Sequence, residues 1–392
     1  MVERTLTGYL KKSFSKYPVV TLTGPRQSGK TTLVKSAFPD LPYVNLENPS
    51  IRSFAEEDPQ GFLSTYKDGA ILDEIQNVPE LSSWIQVHVD ESRRNSLFIL
   101  TGSRQFEVLE SVSQSLAGRT AVLRLLPFSF KELLPGIKLS SINEWLYTGF
   151  YPRIYDQNLE PYQALSDYFA TYIERDIRKI VNIRNISLFE KFVKLCAGRV
   201  GQILNISSLA NDTGINHTTA REWLTLLEAS YTVFLLPPFY RNIGKRLIKA
   251  PKLYFFDTGL ASHLIGIEKV EHLNNHPLRG NLYENMIVME ILKHRYHNGR
   301  ASNIHFFRDA KGHEVDVIYL LGNRTFPIEV KAGETFRSDF LKQLLYFNSL
   351  FNTEEKESSG ALLYNGNTDY HRSGFEILNS LGINDLLEKL DK

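Results

Sequence analysis

The chain has 392 residues, of which 42% are hydrophobic and 23% charged, a composition that suits a globular protein of two or three domains. Its formal net charge of +1 confines any nucleic-acid footprint to a local patch, and a single cysteine, Cys196, excludes an internal disulfide and a cysteine-rich zinc site. No apolar run approaches the ~20 residues of a membrane span and the opening "MVERTLTGYLKKSF" lacks the apolar core of a signal peptide, so a cytoplasmic protein without a membrane partner is expected.

The first informative stretch is "PVVTLTGPRQSGKTTL", residues 18 to 33. A β-rich apolar run leads into Gly24, Pro25, Arg26, Gln27, Ser28, Gly29, Lys30, Thr31 and Thr32, and a helical pattern comes after them. This is G-x-x-x-x-G-K-T between a strand and a helix, a phosphate-binding loop. Its glycines let backbone N–H groups close round the phosphates, and the helix N-terminus adds positive potential. Lys30 is placed to reach the β and γ phosphates of ATP, and the Thr31 hydroxyl to hold Mg2+. The next apolar strand, "GAILDEIQN" (69 to 77), ends in Asp73-Glu74. Beside a phosphate loop, Asp73 suits Mg2+ through water and Glu74 suits polarising the attacking water. The alternative is an acidic pair that caps the turn after it. A further buried strand, "SLFILTGSR" (96 to 104), ends in Thr101 and Ser103, either of which suits a γ-phosphate sensor. Arg119, in a loop before another strand, is either an arginine finger toward a neighbouring subunit or one half of a surface ion pair.

Taken together, "LTGPRQSGKTTL", "YVNLENPSIRSFAEEDPQGFL", "AILDEIQNVPEL", "FILTGS", "SLAGRT" and "LLPFSFKEL" resemble the AAA-like P-loop ATPases of bacteria and archaea whose C-terminal half is a domain of unknown function. The resemblance runs from about residue 17 through residue 335, and its P-R-Q, D-E-I-Q and A-G-R signatures are specific as a set. It implies ATP hydrolysis with ATP and Mg2+, and rings of identical subunits are common among such ATPases, which Arg119 would fit. Arg104 departs from it, standing where relatives often carry a small residue after T-G-S, which puts the sensor assignment in question.

Residues 141 to 195 are mainly helical by period. "ALSDYFATYIERDIRKI" puts Leu165, Tyr168, Phe169, Tyr172, Ile173 and Ile177 on one face. Arg175 and Asp176 either couple to the nucleotide domain or sit on a solvated face. Residues 203 to 228 carry a helix-turn-helix pattern: Leu209 and Ala210 face in, Gly214 makes the turn, Ile215 plugs it, and Trp223, Leu226 and Leu227 face in from the second helix. The next stretch, "YTVFLLPPFYRNIGKRLIKAPKLYFF", reads as a two-stranded wing turning at Gly244. No Asp or Glu occurs from Ala229 to Phe256, while Arg241, Lys245, Arg246, Lys249 and Lys252 cluster there. With Arg221 on the second helix, this suits a phosphate backbone; a protein-docking module with a solvated hairpin is the other reading.

In the last third, "GNLYENMIVMEILKH" (280 to 294) reads as an amphipathic helix carrying Glu284, "IHFFRDAKGHEVDVIYLL" as a hairpin turning at Lys311-Gly312, "TFPIEVKAG" as a strand and "FRSDFLKQLLYFNSLF" as a helix. Glu329 and Lys331 are two apart on a strand and point to the same side. Asp316 holds the matching place on the preceding strand. Two or three carboxylates and a lysine thus gather round a point suited to Mg2+, which would activate water and support a leaving phosphodiester oxygen, with Lys331 stabilising the developing charge. The D…E-x-K core of Asp316, Glu329 and Lys331 resembles the PD-(D/E)XK nuclease superfamily. Glu284 matches its helix-borne acid and Gln343 an additional helix position. That fold also survives as an inactive scaffold.

The expected fold is therefore α/β: an AAA-like P-loop NTPase domain over 1–138, a helical connector over 139–195, a winged helix over 196–260, and a PD-(D/E)XK nuclease-like domain over 270–392. The expected function is an ATPase coupled to a nucleic-acid-acting C-terminal half that metal-dependent nuclease activity would fit, with DNA favoured over RNA. The alternatives are a nucleotide-dependent DNA- or protein-binding switch on an inactive nuclease-like scaffold, and an ATP-dependent protein remodeller.

Overall fold

Alternate residues along the first strand enter two different cores, which is how a strand covered on both faces reads in sequence. In β1 (Val19–Thr23), Val19 joins one apolar cluster and Val20 and Leu22 the other. The same split recurs at Ile71 and Leu72 of β3 (Ala70–Asp73) and at Ile99 and Leu100 of β4 (Phe98–Gly102). With β2 (Tyr43–Asn45) and β5 (Thr120–Arg124) these strands form a parallel sheet of order β2-β3-β4-β1-β5. Helices α1 (Thr7–Phe14) and α2 (Lys30–Ala37) supply Leu10, Phe14, Leu33 and Val34 to one core. Helices α3 (Pro49–Glu57), α4 (Pro59–Thr65) and α5 (Leu81–Ser92) supply Ala55, Phe62, Leu63, Leu81, Ile85 and Val89 to the other. Burying each large aliphatic side chain contributes about 1.5–3 kcal/mol.

The computed structural model describes residues 2–103, 108, 114–137, 139–172, 186–240, 249–351 and 359–392. Among the predicted positions, Arg104, Ile173, Arg175, Asp176, Ile177, Arg241, Gly244, Lys245 and Arg246 lie outside the described residues. The chain divides into two units, one of residues 1–128, 229–232 and 295–301, the other of residues 129–228, 233–294 and 302–392.

In the second unit, α6 (Phe130–Leu133), opened by a capping box between Ser129 and Glu132, leads through α7 (Ile142–Thr148), α8 (Pro152–Asp156) and α9 (Pro161–Tyr172). Leu165, Tyr168 and Phe169 of α9 are buried. Three helices come next: α10 (Ile186–Ala197), α11 (Ile206–Thr213) and α12 (His217–Ala229). Gly214 ends α11 at φ 89°, the left-handed cap that glycine adopts without strain. Leu209, Ala210, Trp223, Leu226 and Leu227 are buried, and Trp223 meets Phe189 and Phe192 of α10 edge-on at 5.2 and 5.4 Å. A sheet of order β6-β8-β7 accompanies them, made of β6 (Gln202–Ile203), β7 (Val233–Leu236) and β8 (Lys252–Phe255). After β7, Phe239 donates its N–H to Phe306 O (2.7 Å), which ties this sheet to the next.

Past α13 (Thr258–Leu264), α14 (Arg279–His297) departs from its predicted amphipathic form. Its second half is enclosed: every residue from Asn285 to His297 is buried. The polar groups that gave it an outward face in sequence are satisfied inside. Asn285 pairs with the backbone of Phe255, and Glu290 accepts from Phe130 N–H (2.8 Å) and Lys293 Nζ (2.7 Å). The final sheet has the order β13-β14-β12-β11-β10-β9. It comprises β9 (Ile304–Arg308), β10 (Glu314–Leu321), β11 (Arg324–Lys331), β12 (Ala361–Tyr364), β13 (Tyr370–Arg372) and β14 (Phe375–Asn379). Helix α15 (Lys342–Phe351) packs Leu344, Phe347 and Phe351 on one face, and α16 (Ile383–Leu390) closes the chain. Among the described residues no helix is long and apolar enough to cross a membrane.

Candidate functional site

The phosphate loop joins β1 to α2. Gly24 has φ 151° and a Cβ there would lie 2.1 Å from Leu125 O; Gly29 caps α2 at φ 88°. Both positions therefore require glycine. Pro25 and Ser28 are buried, Arg26 is half-buried, and Gln27 and Thr32 are exposed. Lys30, 6% exposed, folds back on its own loop and donates to Gly24 O (2.9 Å) and Pro25 O (2.8 Å). The buried Ser28 hydroxyl has no hydrogen-bond partner among the described residues. A loop whose ammonium rests on its own carbonyls, beside an unsatisfied hydroxyl and a helix N-terminus, fits an anionic ligand.

Because β4 lies between β1 and β3, the ends of all three strands meet at this loop. Asp73 accepts from Thr31 Oγ1 (2.8 Å), from Tyr43 OH (2.6 Å) and from the Thr101 hydroxyl. Glu74 has φ 60° and its carboxylate accepts from Gln76 Nε2 and from Ser103 Oγ (3.3 Å). A non-glycine residue in the left-handed region is a strained position that the surroundings must hold. Desolvation and the Asp73 carboxylate push the Tyr43 phenol well above its usual range, so it remains a donor. The hydroxyl–carboxylate pair Thr31–Asp73 suits Mg2+ completed by phosphate oxygens and water. Arg119 forms the surface ion pair, reaching both oxygens of Asp90 at 2.6 and 2.7 Å.

Two residues of this site carried no signal in the sequence. Tyr43 belongs to no motif. Arg4, 7% exposed, donates to Ser28 O and Leu126 O, both at 2.6 Å, with its guanidinium 4.8 Å from the Phe128 ring centre. A third long-range contact comes from residues 229–232: the buried Tyr231 hydroxyl meets Thr23 Oγ1 at 2.8 Å, immediately before the loop.

The second predicted constellation also converges. The β10–β11 register pairs Val317 with Ile328, so one step further Asp316 and Glu329 lie opposite each other. Asp316 Oδ2 accepts from Val330 N–H (2.9 Å) and Lys331 Nζ lies 2.5 Å from Glu329 Oε1. The register of β10 against β9 shifts between Val315 and Ile318, a bulge of the kind that re-aims side chains. The centre of the group, however, holds a residue assigned in sequence to a basic surface run. Lys252 of β8 is 2% exposed, and its Nζ lies 2.8 Å from Glu284 Oε1, 2.5 Å from Glu314 Oε1 and 3.7 Å from Asp316 Oδ1. Tyr254 donates to the same Glu284 oxygen at 2.5 Å. Burial would lower the Lys252 ammonium, but Tyr254 and the carboxylates of Glu284, Asp316 and Glu314 outweigh it and hold it well above its usual range. Burial, then Asp316, raise Glu329. Glu329 Oε2 and Gln343 Oε1 are buried without a hydrogen-bond partner among the described residues.

The expected sharing of Mg2+ by Asp316 and Glu329 meets this arrangement badly. No group of three or more His, Cys, Asp or Glu among the described residues is placed as a set of metal ligands, and an ammonium stands among the carboxylates. With Lys252 in place, the residues present do not fit a divalent cation here. Of the predicted nucleic-acid contacts within the described residues, Arg221 and Lys249 are exposed.

Comparison with known proteins gives three matches along the chain. An AAA domain matches residues 16–134, a domain of unknown function (DUF8612) residues 139–271, and a second (DUF4143) residues 279–382. An uncharacterized protein of Mycobacterium tuberculosis is 30% identical over 336 residues, covering 85% of this chain and 74% of that protein. The chain belongs to the family of that protein. An uncharacterized protein of Haemophilus influenzae is 25% identical over 315 residues, covering 71% of this chain and 75% of its own length. Among solved structures, a Walker-type ATPase of Pyrococcus abyssi is similar at a TM-score of 0.43 and 15% identity, over 67% of this chain and 96% of that one. AMPPCP-bound DnaA from Aquifex aeolicus is similar at 0.30 and 17%, over 57% and 85%. Both structural likenesses are remote. This chain thus joins an AAA-like ATPase domain to additional C-terminal domains.

Proposed function

We propose that this chain is an ATP-hydrolysing switch whose nucleotide state is passed to a C-terminal half that binds nucleic acid on an inactive nuclease-like scaffold. The observation that carries it is the way the two acids of "LDE" are held. Thr31, Tyr43 and Thr101 fix Asp73 beside the phosphate loop, and Gln76 and Ser103 fix Glu74. When ATP enters, Lys30 exchanges the carbonyls of Gly24 and Pro25 for phosphate oxygens, and the loop's N–H groups donate to the same phosphates. Thr31 and Asp73 would hold Mg2+, which when bound neutralises phosphate charge. Released by Gln76, Glu74 accepts the proton of the attacking water, while Ser103, hydrogen-bonded to Glu74 before ATP binds, reads the γ-phosphate.

The nucleic-acid reading is supported by α12, whose exposed Thr218, Arg221 and Glu222 come after a glycine-capped turn, and by the exposed Lys249. Binding to DNA that weakens steeply with salt is expected, without cleavage; ATP turnover stimulated by a protein and indifferent to nucleic acid would point to a remodeller instead.

The hydrolase is tested with Lys30→Ala and Glu74→Gln in the full chain. Lys30→Ala should lose ATP binding. Glu74→Gln should still bind ATP and lose turnover by about 10²–10⁴-fold. Equal turnover in wild type and Glu74→Gln would remove Glu74 from the mechanism, and no Mg2+-dependent turnover at all would end the hydrolase reading.

A further inference from the structure

The acidic centre of the C-terminal sheet gathers Glu284 from α14, Glu314 and Asp316 from β10, and Glu329 from β11. Four carboxylates in so dry a place require cations. Lys331 serves Glu329 from the same strand, and Arg308 serves Glu314 at 2.8 Å. Lys331 also stands near Asp316 and Glu284, whose charges help hold its ammonium up. Lys252 joins them, and it alone among these cations comes from the neighbouring three-stranded sheet. Its side chain is 2% exposed and its ammonium is within 3.7 Å of three of the four acids. Such a distribution, one positive point surrounded by carboxylate oxygens from separate elements, is what a hard divalent cation would otherwise satisfy.

We propose that Lys252 is a built-in counter-ion that occupies the cation position among Glu284, Glu314 and Asp316, beside Glu329, and keeps divalent metal out of this centre. The contact is autoinhibitory in form: carboxylates from separate elements converge, and a lysine delivered by β8 stands among them. The unpartnered Glu329 Oε2 and Gln343 Oε1 are the acceptors left over when an ammonium, which carries three hydrogens and one charge, stands in for an ion that takes six or more oxygens. Because β8 is paired with β6 and β7, a ligand that shifted this small sheet would withdraw the lysine and open the centre.

The test uses nucleotide-free full-length protein in an Asp73→Asn background, so that the phosphate site contributes no metal, titrated with Mn2+ and read by the electron paramagnetic resonance of the free ion. With Lys252 in place, no tight Mn2+ is expected. Lys252→Ala should bind one Mn2+ per chain, tighter by about tenfold or more, and adding Glu329→Gln should abolish it. Lys252→Arg, which keeps the charge, should bind none. Mn2+ should raise the melting temperature of Lys252→Ala and leave that of the Lys252 chain unmoved. Two results would overturn the assignment. One is tight Mn2+ binding by the Lys252 chain that Glu329→Gln removes, an arm that needs no substitution at Lys252. The other is a folded Lys252→Ala that binds no Mn2+.

Discussion

Replacing Arg4 by alanine should loosen the phosphate loop from a distance in sequence. The guanidinium makes two short charge-assisted hydrogen bonds, to Ser28 O inside the loop and to Leu126 O, in a place where the residue is 7% exposed. Each such bond contributes about 1.5–3 kcal/mol, and the contact with the Phe128 ring about 0.5 kcal/mol more. Water entering the vacated space recovers part of this, so a net loss of about 3 kcal/mol is expected, a large share of the roughly 5–15 kcal/mol that holds a domain together. Arg4→Lys, which keeps the charge but cannot reach two carbonyls in one plane, should recover less than half. Urea denaturation of the full chain, with hydrogen exchange of peptides covering β1 and the loop, separates this unit from the other. Exchange at the loop should accelerate in Arg4→Ala, and ATP with Mg2+ at about 100 times its dissociation constant should restore roughly 2.7 kcal/mol. A change within about 0.5 kcal/mol, with loop exchange and ATP affinity unaltered, would refute the idea that Arg4 holds the loop.

Tyr43→Phe removes one of the donors on Asp73; it should weaken ATP binding by about five- to tenfold in Mg2+, the worth of one hydrogen bond, and leave binding in EDTA unchanged, as measured by calorimetry. Glu228, half-buried at the end of α12, is pushed up from 4.5 to about 7 by desolvation. Its folded-state value is raised, so the stability it contributes is present below about 4.5 and is lost as pH climbs through about 7. Discounted for its remaining exposure, Glu228→Gln should stabilise the protein by about 1–2 kcal/mol at pH 8 and hardly at all at pH 4.5, which thermal unfolding across that range checks.

The features legible in the sequence were the contiguous ones. The phosphate loop and "LDE" keep fixed spacings because neighbouring residues on one turn or one strand must present their groups together, and the pairing of Glu329 with Lys331 came from strand alternation alone. The partners of Arg4, Lys252 and Tyr231 lie 24 to 208 positions away, and no local period carries that information. Lys252 was misleading for a definite reason: it is the last cation in a run free of acids, and the acids that neutralise it arrive only when β10 and α14 fold against β8. Helix α14 misled similarly, since Asn285, Glu290 and Lys293 look solvent-facing until their buried partners are known.

The contact between Tyr231 and Thr23 has a practical consequence. Residues 229–232 and 295–301 belong to the nucleotide-binding unit although the chain reaches them only after long excursions, and Gly299 lies so close to Tyr9 that a Cβ there would fall 2.0 Å from its ring. A fragment cut at the borders of the AAA domain, residues 16–134, would discard Arg4, Tyr9, Tyr231 and Gly299 at once. Such a fragment would expose apolar surface that the intact polypeptide covers, and its failure to turn over ATP would say nothing about the catalyst itself.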